Sequence, residues 1–250
     1  MKAFASDFDG TFFFMEQTEP FKKCDIEAIK IFQSQGHSFG LCTGRPLIGT
    51  LEYLPKEIQP DFYITNSGAS IYNKEKQLIC EKTFSKETTD ALITYGVEHG
   101  FAVDFHMNEK FYAFGKSDCF ITDEIYSLYE INGRVHNITY NAGSVEKAEE
   151  LVKIMSEKFK NQITAFRNTQ YVDIVPFGCS KGFGIDFIRT FLKIDTFAGI
   201  GDSMNDLPML DKVDAAFTFT DAPKKLQEKA IKLVKSLSEA VKEFLNEETM

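Results

Sequence analysis

Residues 6–14 read SDFDGTFFF. Asp7 and Asp9 stand two positions apart among phenylalanines, where like charges repel and apolar walls strip away their water. Something positive has to meet them. Three more polar clusters lie downstream: Thr43-Gly44-Arg45, Lys181, and GDSMNDLP at 201–208, which holds Asp202, Asn205 and Asp206. Four carboxylates with so few strong bases suit a hard divalent cation, and Mg²⁺ takes oxygen ligands at about 2.0–2.1 Å while keeping waters and substrate phosphate in its shell. A threonine hydroxyl and a lysine ammonium would supply donors to phosphoryl oxygens, and glycine after the acids lets backbone N–H groups come close. One aspartate can then act as a covalent phosphoryl acceptor.

The elements that must carry these clusters alternate between strand and helix at both ends of the chain. KAFAS (2–6), SFGLC (38–42), DFYIT (61–65), TFAGI (196–200) and DAAFTF (214–219) read as strands. CDIEAIKIFQSQG (24–36) and SKGFGIDFIRTFL (180–192) read as amphipathic helices. This order predicts an α/β fold with a Rossmann-like parallel sheet and helices on both faces. Three of the four clusters directly follow a predicted strand, where open α/β sheets place their ligand crevice.

The middle of the chain has a different rhythm. Residues 83–176 read as a helix (86–99), strands at 101–106 and 110–115, a helical stretch near 119–129 and a strand at 134–140. A helix (144–159) and strands at 163–167 and 171–175 follow. Tight polar turns at HMNEK (106–110) and RNTQ (167–170) signal antiparallel hairpins. The expected organisation is therefore a core domain in two parts, 1–82 and 177–250, interrupted by an inserted α+β domain, 83–176.

The net charge of −9 over 250 residues and the scattered lysines argue against a nucleic-acid partner. Cys24, Cys42, Cys80, Cys119 and Cys179 form no CxxC pair, so reduced thiols in a cytoplasmic protein are expected. MKAFASDFDG is too briefly apolar for a signal-peptide core, and no 18-residue apolar run offers a membrane span. With 25 phenylalanines and no tryptophan, the cores should be phenylalanine-rich. FFFM (12–15) belongs to that packing. His37, His99, His106 and His136 are dispersed and read as structural; His106 and Arg167 fall at hairpin turns, as exposed loop residues or, alternatively, facing the substrate.

The strings DFDGT, CTGR, SKG and GDSMNDLPML, in this order and spacing, resemble the four motifs of the haloacid dehalogenase-like superfamily. The insert between the second and third resembles the type IIB cap of its Cof-type hydrolases. The resemblance runs from Asp7 to Leu210. It implies a phosphatase in which Asp7 attacks phosphorus, while Asp9 protonates the leaving oxygen and later activates water. It implies that Thr43 and Lys181 hold the phosphoryl group, with Gly44 on the substrate side and Asn205 contacting phosphate or orienting the loop; Arg45 reads either as a substrate-phosphate ligand or as a tie between two loops. Mg²⁺ would be bound by Asp7, the backbone carbonyl of Asp9 and Asp202, with Asp206 supporting its waters. Gly10 and Thr11 would form the turn. Asn66 and Gly68 match an Asn-Gly-Ala-like turn of Cof-type members, with Ser67 interposed.

The implied substrate is a small phosphorylated metabolite such as a sugar phosphate, the implied assembly a monomer or small homo-oligomer. A phosphosugar mutase would use the same aspartates. A non-catalytic phospho-acceptor module resembling response-regulator receivers would also need an acid cluster, a threonine and a lysine, but in about half this length. No GxGxxG follows the first strand and no GxxxxGK[ST] occurs, which weakens nucleotide-cofactor readings.

Overall fold

The computed structural model describes residues 1–115 and 123–246. In chain order the elements begin β1 (Lys2–Ser6), α1 (Lys23–Ser34), β2 (Ser38–Cys42), α2 (Leu47–Leu51), β3 (Phe62–Thr65), β4 (Ser70–Asn73) and β5 (Leu78–Glu81). Next come α3 (Lys86–Glu98), β6 (Ala102–Met107), β7 (Lys110–Phe114), β8 (Asp123–Ile125), β9 (Val135–Asn141), α4 (Val145–Lys158), β10 (Ile163–Asn168) and β11 (Tyr171–Pro176). The chain closes with α5 (Lys181–Leu192), β12 (Thr196–Ile200), α6 (Leu207–Leu210), β13 (Ala215–Phe219), α7 (Lys224–Lys229), β14 (Lys232–Val234) and α8 (Leu237–Asn246).

One sheet runs β14-β13-β12-β1-β2-β3-β4-β5. From β14 to β3 every pairing is parallel, as the α/β alternation requires. The sheet then departs from the expected all-parallel pattern, because β4 is antiparallel to both β3 and β5. Only residues 66–69 separate β3 from β4, too few for the dozen or more that a parallel crossover needs.

Side chains of β1 alternate between two cores. Phe4 packs with Phe32, Phe217 and Phe244 at ring-centroid distances of 6.1–6.2 Å, on the face covered by α1 and α8. Ala3 and Ala5 face the other way, toward Ile185 and Ile188 of α5. The backbone at Gly40 is pressed against Phe62, where a Cβ would sit 2.2 Å from the ring. The phenylalanine-rich core is thus real: Phe4, Phe8, Phe12, Phe32, Phe39, Phe62, Phe197 and Phe217 are fully buried.

A second sheet, β10-β11-β9-β6-β7-β8, takes all its strands from the middle of the chain. Both expected hairpins are present, β6/β7 and β10/β11. Its strands alternate over most of their length, with a bulge at His106/Met107. Val103, Phe105, Ile138, Tyr140, Val172 and Ile174 join Leu92 and Ile93 of α3 and Leu151 and Met155 of α4 in one core. The intervening positions are polar: His106 pairs across with Asn137, and Asp173 with Thr139. The helical stretch expected near 119–129 lies partly outside the described residues. Within them, strand β8 and a single 3₁₀ turn at Leu128–Glu130 stand in its place. His106 is no exposed turn residue but a buried member of β6, and Arg167 belongs to β10, paired with Glu149.

Cys24, Cys42, Cys80 and Cys179 are free thiols, and Cys119 lies outside the described residues. Among the described residues no helix is long and apolar enough to cross a membrane.

Candidate active site

Asp7 continues β1 by one residue, its N–H donating to Ile200 O of β12 at 2.9 Å. The loop behind it is held by aromatic anchors. Phe8 O accepts the N–H groups of Phe12 and Phe13, and all three rings are buried. That explains the phenylalanines around two acids: Phe8 is buried in the core between them, Asp7 is buried, and the Asp9 side chain is half-exposed. Gly10 closes the turn at φ +77°, where a Cβ would come within 2.7 Å of Asp202 Oδ2. Thr11 Oγ1 donates to Asp202 Oδ1 at 3.2 Å.

Lys181 is the first residue of α5, whose N-terminus is capped by Ser180 Oγ accepting from Phe183 N at 2.9 Å. The side chain is buried, with Nζ donating to Asp7 Oδ1 at 2.5 Å and also to Asp206 Oδ1. The second oxygen of Asp206 accepts from the backbone N–H groups of Asp202 and Ser203 at 3.1 and 3.0 Å, so this residue shapes the 201–208 loop. Gly201 is needed there, since a Cβ would lie 2.4 Å from Asp206 Cγ.

Oxygens of Asp7, Asp202 and Asp206 all lie within 4.8 Å of one another. Burial, then the Asp206 charge, hold the Asp7 carboxyl well above the ordinary range despite Lys181 beside it. Asp202 is pushed up to about 6 by the same two causes. For Lys181 burial acts against its charge, but Asp206 and Asp7 outweigh it and raise its proton affinity. Three carboxylates around one ammonium leave negative charge in excess, and their donor set is entirely hard oxygen. These residues fit a divalent cation of the Mg²⁺ type.

Asp9 does not join that group through its carboxylate. Arg45 grips it instead, Nε to Oδ2 at 2.8 Å and Nη2 to Oδ1 at 2.7 Å, while Nη1 donates to Gly49 O at 3.2 Å. The guanidinium also lies 5.1–5.5 Å from the ring centroids of Phe8, Phe13 and Tyr53. Thr43 is buried, and its Oγ1 accepts from Arg45 N at 3.1 Å. Asn205 Oδ1 accepts from Ser203 Oγ at 2.7 Å.

Asp7, Asp9, Thr43, Gly44, Arg45 and Asn205 line a cavity of about 200 Å³. Lys181, Asp202 and Asp206 stand behind its floor, tied to Asp7 or to one another. The opposite wall is the polar face of the second sheet: His106, Phe111, Asn137, Thr139, Asn168 and Asp173. Apart from His106, sequence reading missed this wall. The period-two alternation of HNITY and YVDIV signals a strand with one polar face, but not what that face meets.

Contacts of Glu109 and His106 help seat the second sheet over the first, as does Glu81 of β5, which meets His136 Nε2 of β9 at 2.7 Å. Glu109, in the β6/β7 turn, accepts the Leu47 N–H at the start of α2 at 3.0 Å, and its other oxygen lies 3.4 Å from Asn66 Nδ2 and Ser70 Oγ. His106 Nδ1 meets Asn66 Oδ1 at 2.7 Å. Since Asn66 Nδ2 donates to Ser70 Oγ at 3.0 Å, its Oδ1 is an acceptor and His106 Nδ1 carries the proton. Burial, aided by His136, lowers His106 to about 3 and keeps the ring neutral.

The family described as haloacid dehalogenase-like hydrolase matches residues 4–245. A Haemophilus influenzae relative, whose name of phosphatase is itself provisional, is 22% identical over 239 residues, covering 92% of this chain and 90% of its own. A Buchnera aphidicola relative with the same provisional name is 26% identical over 225 residues, 83% of this chain and 82% of its own. A solved haloacid dehalogenase-like hydrolase from B. subtilis superimposes with a TM-score of 0.85 over the whole of both chains at 17% identity. A solved subclass IIB sugar phosphatase gives 0.83 at 22% identity, over 98% of this chain and 99% of that one.

Proposed function

The chain belongs to the haloacid dehalogenase-like hydrolase family, and from that premise we propose that it is a Mg²⁺-dependent phosphatase of small phosphomonoesters. The observation that carries the proposal is Lys181 Nζ bridging Asp7 and Asp206, with the Asp202 carboxylate alongside, behind the floor of a cavity that Asp7, Thr43 and Asn205 line. The sugar phosphatase among the structural neighbours and the phosphatase names of the sequence relatives support the substrate class. Residues 83–176 form the cap domain, and residues 1–82 with 177–250 the core.

Asp7, the backbone carbonyl of Asp9 and Asp202 would hold the metal, with Asp206 behind them. Bound Mg²⁺ would neutralise phosphoryl charge and relieve the crowding of carboxylates. Thr43 and Lys181 donate to the phosphoryl oxygens, and Asn205 borders the same space. An Asp7 oxygen attacks phosphorus as the ester P–O bond breaks, and Asp9 as an acid gives its proton to the departing alkoxide. Asp9, now a carboxylate, takes a proton from water, and the resulting hydroxide attacks the aspartyl-phosphate, freeing phosphate and restoring Asp7. Positioning and charge neutralisation account for most of the acceleration.

The test is phosphate release from a panel of sugar and polyol phosphates with Mg²⁺, with EDTA, and with Asp7→Asn. Turnover that needs both Mg²⁺ and Asp7 supports the proposal; an active Asp7→Asn protein rejects it. Phosphorus NMR of the products separates hydrolysis from the mutase reaction, which would return the phosphoryl group to the sugar.

A further inference from the structure

The wall opposite Asp7 contains a carboxylate with too few donors. Asp173 is buried in β11, where its Oδ1 accepts from Thr139 Oγ1 at 2.9 Å and its Oδ2 from Asn168 Nδ2 at 3.2 Å. A carboxylate offers about four lone-pair sites. The Thr139 hydroxyl has one proton and two oxygens competing for it, since Asn137 Oδ1 is also 2.9 Å away. Burial keeps the Asp173 carboxyl above its ordinary range even with these two partners.

The charge around the cavity has one sign to spare. Among the described residues lining it, Arg45 is the one cation, and both arms of its fork are already on Asp9. Lys181, behind the floor, is committed to Asp7 and Asp206. Asp173 reaches over the loop after β2, its Oδ2 3.9 Å from where a Cβ on Gly44 would stand. Neutral His106, with its proton on Nδ1, adds an acceptor nitrogen to the same wall.

Resting on the phosphatase reading above, we propose that Asp173 selects the leaving group: it accepts hydroxyl donors of a neutral polyol chain and repels a leaving group that carries a second anion. A hydroxyl donating to Asp173 engages a lone pair that has no donor, whereas a carboxylate or second phosphate there would face a buried carboxylate without a cation.

The experiment uses the full chain with Mg²⁺ on three probes. These are sorbitol phosphate; phosphogluconate, the same six-carbon chain ending in a carboxylate; and acetyl phosphate, which has no polyol to read. Wild type should prefer sorbitol phosphate over phosphogluconate by about tenfold or more in kcat/KM, and Asp173→Asn should shrink that ratio by about tenfold, chiefly through KM. A wild-type ratio near one, an inverted ratio, or a ratio unmoved in Asp173→Asn overturns the proposal. Should the variant not fold, competition by sorbitol and by gluconate against wild-type turnover of acetyl phosphate decides: stronger inhibition by sorbitol supports it, and equal or weaker inhibition overturns it. Turnover of acetyl phosphate with neither polyol ester overturns the Asp173 assignment alone. No turnover of any probe overturns the phosphatase reading beneath it.

Discussion

Arg45 holds Asp9 in a two-pronged grip, with both guanidinium–carboxylate distances between 2.7 and 2.8 Å, across a separation of 36 residues. The planar fork matches the carboxylate in a way a lysine ammonium cannot. Asp9 is the proposed acid and base, so its aim depends on this contact. Arg45→Lys should lower kcat by about tenfold and change the pH–rate profile more than KM. Steady-state kinetics across pH checks it; an unaltered profile would mean Arg45 only ties the two loops together.

Lys181 carries the charge balance of the floor. Lys181→Met leaves Asp7 and Asp206 buried without their shared cation, which should cost about 3–5 kcal/mol of stability in the metal-free protein. Activity should fall by at least about 100-fold. Denaturant unfolding with and without Mg²⁺, alongside phosphate release, measures both, and Mg²⁺ should recover part of the stability but little of the rate.

Stability without metal should also respond to pH through Asp202. Its folded value of about 6 lies above the ordinary 3.8. A raised acid stabilises the fold below its unfolded value, and that contribution disappears as pH rises from about 4 through 6, at no more than roughly 1.4 kcal/mol per pH unit. Mg²⁺ should therefore raise the melting temperature more at pH 7.5 than at pH 5, which thermal melts at the two values would show.

His106 works in the opposite sense. Its folded value of about 3 lies below the ordinary 6.5, so the unfolded chain gains a proton first as pH falls. Its contribution is present above about 6.5 and lost toward 3. His106→Gln, which has no such proton to gain, should flatten the acid side of the stability curve between those limits. Equal acid sensitivity in the two proteins would count against the buried, neutral ring.

Gly68 joins the loop after β3 to the start of α5. Its φ is +91°, and a Cβ would meet Ser180 O, just before Lys181, at 2.0 Å. Gly68→Ala should lose at least about 2 kcal/mol and move Lys181 off Asp7. Stability and turnover should fall together, whereas Gly36→Ala, at φ +82° but with open space around it, should lose only about 1–2 kcal/mol to backbone strain and leave turnover nearly unchanged.

The elements that position the floor were legible because their signals are local. Apolar runs marked β1, β2 and β12, the amphipathic run at 180–192 marked α5, and the acids, Thr43 and Lys181 were visible by residue type and spacing. Orientation at the sheet edge was not visible in DFYIT, since it depended on the four-residue link that forces β4 to turn back.

The sequence alone established which residue types follow which strands, because that information lies within a few positions of each motif. Only the tertiary structure decided which of them touch. Lys181 and Asp7 are 174 residues apart, and Glu109 caps α2 from 62 residues away. His106 read as an exposed turn and proved buried against Asn66, and Asp173 gave no signal beyond a polar position in a strand. Alternation tells a strand that its two faces differ; which surface covers each face is settled by long-range packing, and that packing is what turned one polar face toward Asp7.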